Sequence, residues 1–331
     1  MRFARLSVLA TVIFLSCDSD ESHDHSTLLV QLPTTIRSTK LLANQNKAYV
    51  VTYFGSLYET QTELYSVDLV SSALNKMLTA EGSCDHGFAV SSDEKFAILS
   101  TYIQKSNGYE ARIEMHDLEK QTHKILISSN ENTFWVYAIH PENNFLVYGK
   151  YTNGMNILRK INLLNGDDVQ ISGNGNAVFR GLHPLTNEIL VSTGEQFYFM
   201  DWDGAVKSEP VSGLTPVSIS NNGKAILCSK NGEIYSYDIP GNEEIQISHA
   251  GGDLYPRCFS DDGNSILYFT GKDHTENSNS FELYTMDISG ENIVRHTFNE
   301  DSDSPTGFFQ QDTRILFTSH KNDKGLFTLE F

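Results

Sequence analysis

Seven apolar runs recur along the chain, each opening after a short polar turn. They are KAYVVTYF, KFAILSTY, NFLVYGKY, EILVSTG, KAILCSK, SILYFTG and RILFTSH, beginning at Lys47, Lys95, Asn144, Glu188, Lys224, Ser265 and Arg314. Each is rich in β-branched, leucine and aromatic residues, the composition of a strand. A second run follows each one and carries Asp, Asn or Glu at one position: Asp68, Asp117, Asn162, Asp201, Asp238, Asp287 and Glu330. Those positions are 37 to 49 residues apart. A third run closes six of the units (KMLT, ILIS, VQIS, EPVS, IQIS, VRHT), and a fourth opens all seven (TKLL, GFAV, VYAI, FRGL, PVSI, PRCF, TGFF).

Four short strands per repeat of this length is the pattern of a β-propeller blade, whose sheet faces are buried only when blades stack around an axis. No helix-period stretch competes after the first residues. The seventh unit ends after its third strand, at Phe331, while STLLVQLP (26–33) precedes blade one as a spare strand. The expected fold is therefore all-β, a seven-bladed propeller over residues 27–331 in which Leu28 to Leu32 completes the last blade and removes its open edge.

The links between the first and second strands carry ANQN, SSDE, HPEN, HPLT, SNNG, SDDG and QQDT. Asp, Asn, Gly and Pro suit tight turns, so Asp261 and Asp262 are read as turn residues rather than metal ligands. His140 and His183 replace the Ser of that turn, and Asp68, Asp117, Asp201, Asp238 and Asp287 are read as Asx-type turn formers.

The segment PRCFSDDGNSILYFTG with FELYTMDISGENIVRHT (256–297) resembles the PD40 repeat of TolB-like propellers. Pro256, Phe259, Ser260, Asp262, Gly263, Tyr284, Met286, Asp287, Gly290 and Thr297 carry the resemblance, and Asp261 stands where that family has Pro. The resemblance implies the fold and is nearly silent on function, because the same fold hosts scaffolds, binders, lyases and peptidase gatekeepers.

The N-terminus reads as a targeting segment. Arg2 and Arg5 precede a ten-residue apolar run, Leu6 to Leu15, too short to span a bilayer, and Ser16 precedes Cys17. FLSC resembles the lipobox of bacterial lipoproteins, which implies that residues 1–17 are a signal segment whose Cys17 is lipidated and becomes the mature N-terminus, an outer-membrane location and a membrane contact through the lipid alone. Residues 18–26 form an acidic tether in which His23 and His25 stand beside carboxylates. Cys84, Cys228 and Cys258 remain, an odd number that allows one pair, while the apolar runs around Cys228 and Cys258 favour buried free thiols.

Function is less constrained. Lys plus Arg is 24 and Asp plus Glu is 42, a net charge of −18, which repels phosphate backbones and argues against nucleic acid. The chain has no G-x-S-x-G, H-E-x-x-H, Walker A or C-x-x-C motif, and no cofactor is expected. Links between the second and third strands look long in blades one (Gly55–Thr62), two (Ile103–Tyr109) and six (Gly271–Ser280) and middling in seven (His320–Gly325), which predicts a lopsided rim on one face. The segments entering the inner strands bring Asp85, His86, Trp135, Tyr137, Arg180, Tyr255 and Arg257 to the channel mouth. Aromatics with arginines can stack on a sugar or peptide and pair with a carboxylate. The expectation is a non-catalytic envelope module, not an enzyme, that engages a protein or glycan through its loop-rich face. The alternative is a glycan lyase or hydrolase using His86, Arg180 and Arg257.

Overall fold

The computed structural model describes residues 26–330 apart from 43–45, 56–59, 174, 195, 250, 272–279, 299–301 and 320–321. Its strands form seven four-stranded antiparallel sheets. Six sheets take four consecutive strands each. The seventh takes Asp303–Phe309, Arg314–Ser319 and Asn322–Glu330, and its outermost strand is Thr27–Gln31 from the other end of the chain. Thr27 lies opposite Thr328 and Gln31 opposite Gly325, and the Leu32 amide donates to the Lys324 carbonyl at 2.8 Å. The expected closure is present.

The core is divided among the interfaces between blades. Seven buried apolar clusters lie among the described residues, one at each interface. Between blades two and three, Ile98 and Ile113 pack on Phe134, Leu146 and Tyr148. The closing interface holds Leu32, Phe309 and Leu316 against Val50 and Val67. Alternation along the strands supplies both faces of every blade, which is why apolar residues run almost unbroken through the second strands.

The turns behave as the repeat predicts. In SDDG, the Ser260 hydroxyl accepts the Ser265 amide at 2.9 Å, and the Asp262 carboxylate accepts the Ser260 hydroxyl at 2.6 Å and the Asn264 amide at 2.9 Å. The imidazole of His183 takes over the serine role: its Nδ1 accepts the amides of Leu185 and Thr186, and its Nε2–H donates to the Gly223 carbonyl of the next blade at 3.0 Å. Asp68, Asp117 and Asp201 each accept two local backbone amides. The Ser71 amide chiefly holds the Asp68 carboxyl below the usual range, and the side chains of Lys120 and Lys207, ahead of the amides, do the same for Asp117 and Asp201.

Cys84, Cys228 and Cys258 are free, and burial pushes their thiols up to about 12, 12 and 11. Cys17, the tether and its histidines lie outside the described residues.

The rim differs from expectation. Blade two has no long link: Phe96–Lys105 and Gly108–Asp117 pair to their ends as a projecting ribbon closed at Ser106 and Asn107. The polar letters of IQKSNGY suggest a loop, but alternate residues keep the ladder paired. In blade seven the third strand starts at Asn322, so that link is short as well. The blade-one and blade-six links fall partly outside the described residues.

Candidate functional site

The inner strands line the channel, and the register of six of them slips once. The extra residues are Arg37, Tyr137, Arg180, Val217, Arg257 and Thr306. A bulge re-aims the side chain it carries and is a recurrent device beside functional sites. In blades three to six the bulge lies two pairs before the first turn; in blade one it lies five pairs before it, which sets Arg37 near the strand's start at the channel mouth.

Arg37 and Arg257 meet at one pocket of about 220 Å³ between blades seven and one, lined also by Ser304, Thr306 and Thr318. The Arg37 guanidinium lies 4.1 Å from the centre of the Tyr53 ring and bonds its hydroxyl. Neither arginine has a carboxylate partner among the described residues. Two arginines beside five hydroxyl residues, with Ser38 and Thr39 added to those three, can supply the donors an anion needs.

A second pocket, of about 390 Å³, lies between blades one and two and is lined by Tyr53, Asp85, Tyr102, Gln104 and Tyr109. Along this side runs a row of five rings. Tyr109 contacts Tyr102 at 5.4 Å, Tyr102 contacts His86 at 4.8 Å, His86 contacts Trp135 at 4.8 Å, and Trp135 contacts Tyr151 at 5.8 Å. Tyr109 and Tyr151, at the ends, are exposed. Burial holds the His86 imidazole below the usual range against the pull of Asp85, so it is neutral at pH 7. Burial also pushes the Tyr102 hydroxyl up to about 12.

A third cavity, of about 610 Å³, occupies the channel below the mouth, with Lys40, Tyr137, His140 and Arg257 in its wall. Lys40 Nζ donates to the carbonyls of Tyr137, at 3.1 Å, and Phe88.

The structure thus joins some of the residues expected at the mouth and separates others. His86 and Trp135 touch, and Tyr137 and Arg257 share the channel cavity. Arg180 sits on its own bulge and donates to the Ser192 hydroxyl at 2.8 Å. Tyr255 stands apart in a cluster with Phe269 and Phe281 on blade six. None of the three cavities is lined by His86. Arg37 and Lys40 were missed, although TKLL places Lys40 in the same column of the repeat as Arg180 and Arg257. Among the described residues no group of three or more His, Cys, Asp or Glu side chains converges as a metal site.

No protein-family model matches the sequence, and no curated protein matches it. Solved structures do. The oligogalacturonate lyase of Vibrio parahaemolyticus superposes with a TM-score of 0.61 at 14% identity, over 94% of this chain and 94% of that one. The β-propeller domain of the Trilobed protease from Pyrococcus furiosus gives 0.59 at 14% identity, over 90% and 94%. The acylaminoacyl peptidase of Pyrococcus horikoshii gives 0.54 at 14% identity, over 86% of this chain and 49% of that one, so this chain spans about half of that enzyme. These likenesses establish the fold, a seven-bladed propeller shared with lyase and protease propellers. They also correct the expectation of a non-enzyme. Several of the proteins that share the fold are enzymes, so the missing local motifs give no ground for setting catalysis aside.

Proposed function

We propose that the chain is a glycan-active enzyme, a lyase or hydrolase that takes an acidic oligosaccharide at the channel mouth. The observation that carries this reading is the pocket where Arg37 and Arg257 meet without a carboxylate partner among the described residues, in a chain of net charge −18. A uronate carboxylate matches two guanidinium forks, and the ring row from Tyr109 to Tyr151 offers faces for sugar stacking. The name of the Vibrio enzyme, an oligogalacturonate lyase, supports the same substrate class.

Elimination is favoured over hydrolysis. Glycoside hydrolysis generally uses two carboxyl groups flanking the scissile bond. Among the described residues the mouth pockets have one between them, Asp85, and the arginine pocket has none. In elimination a base removes the proton on the carbon next to the carboxylate. The bond to the leaving oxygen breaks, that oxygen takes the electron pair and a proton, and a carbon–carbon double bond forms. Arg37 and Arg257 hold the negative charge that grows on the carboxylate. In the same reading residues 1–17 direct export, Cys17 carries the lipid and residues 18–26 tether the propeller to the outer membrane.

The test is incubation with uronate-containing and neutral oligosaccharides while ultraviolet absorbance of an unsaturated product and new reducing ends are followed together. A lyase raises both on the acidic sugars; a hydrolase raises reducing ends alone. Arg37→Gln should cut turnover about tenfold or more. Absence of both signals across the panel overturns the reading, and binding without turnover makes the chain a glycan-binding module.

A further inference from the structure

We propose that the channel cavity below the mouth is a second site, sharing Arg257 with the mouth pocket, that binds a small organic acid, with Lys40 and Arg257 as its cationic contacts. The cavity is about 610 Å³, within the size range of small-molecule sites, and apolar residues such as Leu41, Ala89, Val90 and Ile139 make much of its wall. Lys40 comes from blade one, and its Nζ is held by the carbonyls of Phe88 in blade two and Tyr137 in blade three. An ammonium has three donors, and two are used. Lys40 has no carboxylate partner among the described residues, and the same is true of Arg257. Thr39, whose buried hydroxyl has no hydrogen-bond partner, lines the same space.

The remaining titratable groups of that wall do not cancel the two cations. Glu94 pairs with Lys47 at 2.5 Å. His140 Nδ1 accepts the Glu142 amide at 3.2 Å within its own turn. Tyr49 keeps its proton, since burial and Glu94 raise its hydroxyl far above neutral, and the nearby Cys84 thiol is held protonated by burial. Lys40 is half-buried and Arg257 exposed, and an ammonium held partly away from water without a counter-ion favours an arriving anion. One carboxylate satisfies the free donor of Lys40 and the fork of Arg257, and an aliphatic body fills the apolar wall. Burial brings the Lys40 ammonium down to about 8, so its charge, and with it part of the affinity for an anion, is lost as pH rises through that value.

This site does not rest on the glycan reading, and the variants separate the two. Hexanoate, with its uncharged analogue hexanamide, is the probe, measured by calorimetry on the full chain. Hexanoate should bind and hexanamide should not. Lys40→Met should weaken hexanoate about tenfold or more and abolish the fall in affinity between about pH 7 and 9. Lys40→Arg, which keeps a charge at every working pH, should still bind but without that fall. Arg37→Gln, which disables the mouth pocket, should leave hexanoate binding unchanged. Failure of hexanoate to bind, equal binding of hexanamide, or an unchanged pH profile in both Lys40 variants overturns the proposal.

Discussion

The Asp312 carboxylate accepts the backbone N–H of Asp261 at 2.7 Å, and its other oxygen accepts that of Asp262 at 3.1 Å. The acidic turn of blade six is thus clasped by an acidic residue of blade seven, and Asp261 also bonds Asn221 of blade five. Burial, then the Asp312 charge, raises the Asp261 carboxyl above its ordinary value. A carboxyl raised in the folded state adds stability below its unfolded pKa and loses it as pH rises through the folded value. Asp261→Asn should therefore raise the melting temperature at pH 7, and the gain should vanish well below pH 4, where wild-type Asp261 is protonated in both states. Asp312→Ala should act in the opposite sense, costing about 1–2 kcal/mol by stripping two amides of their acceptor. Thermal melts at the two pH values check both.

Gly290 makes a second contact between blades. Its φ is +82°, and a Cβ there would lie 2.1 Å from the Ile247 carbonyl oxygen of blade five. Gly204 repeats the relationship against Ile171, with φ +87° and 2.3 Å. Gly154 has a similar φ, +78°, in the blade-three hairpin but open space around it. Gly154→Ala should cost about 1 kcal/mol, the left-handed penalty alone. Gly290→Ala should cost about 2 kcal/mol or more because backbone must also move. Urea unfolding of the two variants separates steric from conformational strain.

Much of this architecture was legible because turn chemistry repeats. Ser260 with Asp262, or His183 in the serine's place, marks the same corner in successive blades, and the spare strand before blade one implied its partner. The projecting ribbon of blade two was not legible, since whether IQKSNGY pairs or loops depends on the ladder beside it. The mouth was half legible. Arg180, Arg257 and Tyr137 could be found by column, but their orientation depends on bulges, and a bulge is a register property that no residue type announces. Arg37 escaped for that reason: its bulge is displaced toward the mouth, out of the column. Whether the fold works as an enzyme was not readable from motifs at all, because a propeller assembles a site from residues on separate blades.

His296 gives the molecule an acid-sensitive element. Its Nε2 lies 2.8 Å from the Thr285 hydroxyl in a buried position, and burial lowers the imidazole to about 4. The unfolded chain takes up a proton near the ordinary histidine value while the fold resists until about 4, so stability falls as pH drops between those points and levels below them. The effect is on the order of 3 kcal/mol at most, from about 1.4 kcal/mol per pKa unit. His296→Gln should flatten the urea midpoint between pH 7 and pH 5 relative to wild type. An unchanged slope would assign the acid sensitivity to the carboxylates instead.

The closing strand carries the last prediction. Thr27–Gln31 is the outer strand of blade seven, and Leu32, just beyond it, is 1% exposed among Phe309, Leu316 and Leu326. Removing residues 26–34 takes away a full ladder of bonds to Asn322–Glu330 and uncovers that cluster. Blade seven is then a three-stranded sheet with an open edge, and both the melting temperature and the monomer's solubility should fall, since a free edge recruits other chains. A gentler variant distinguishes packing from pairing. Leu32→Ala keeps the strand and leaves a cavity, for a loss of about 2–4 kcal/mol without aggregation. The deletion should lose more than Leu32→Ala, and adding a peptide of sequence STLLVQLP back to the truncated chain should recover part of the difference by re-pairing with the exposed strand. If the truncated chain melts with the full one, the N-terminal strand does not hold the ring closed.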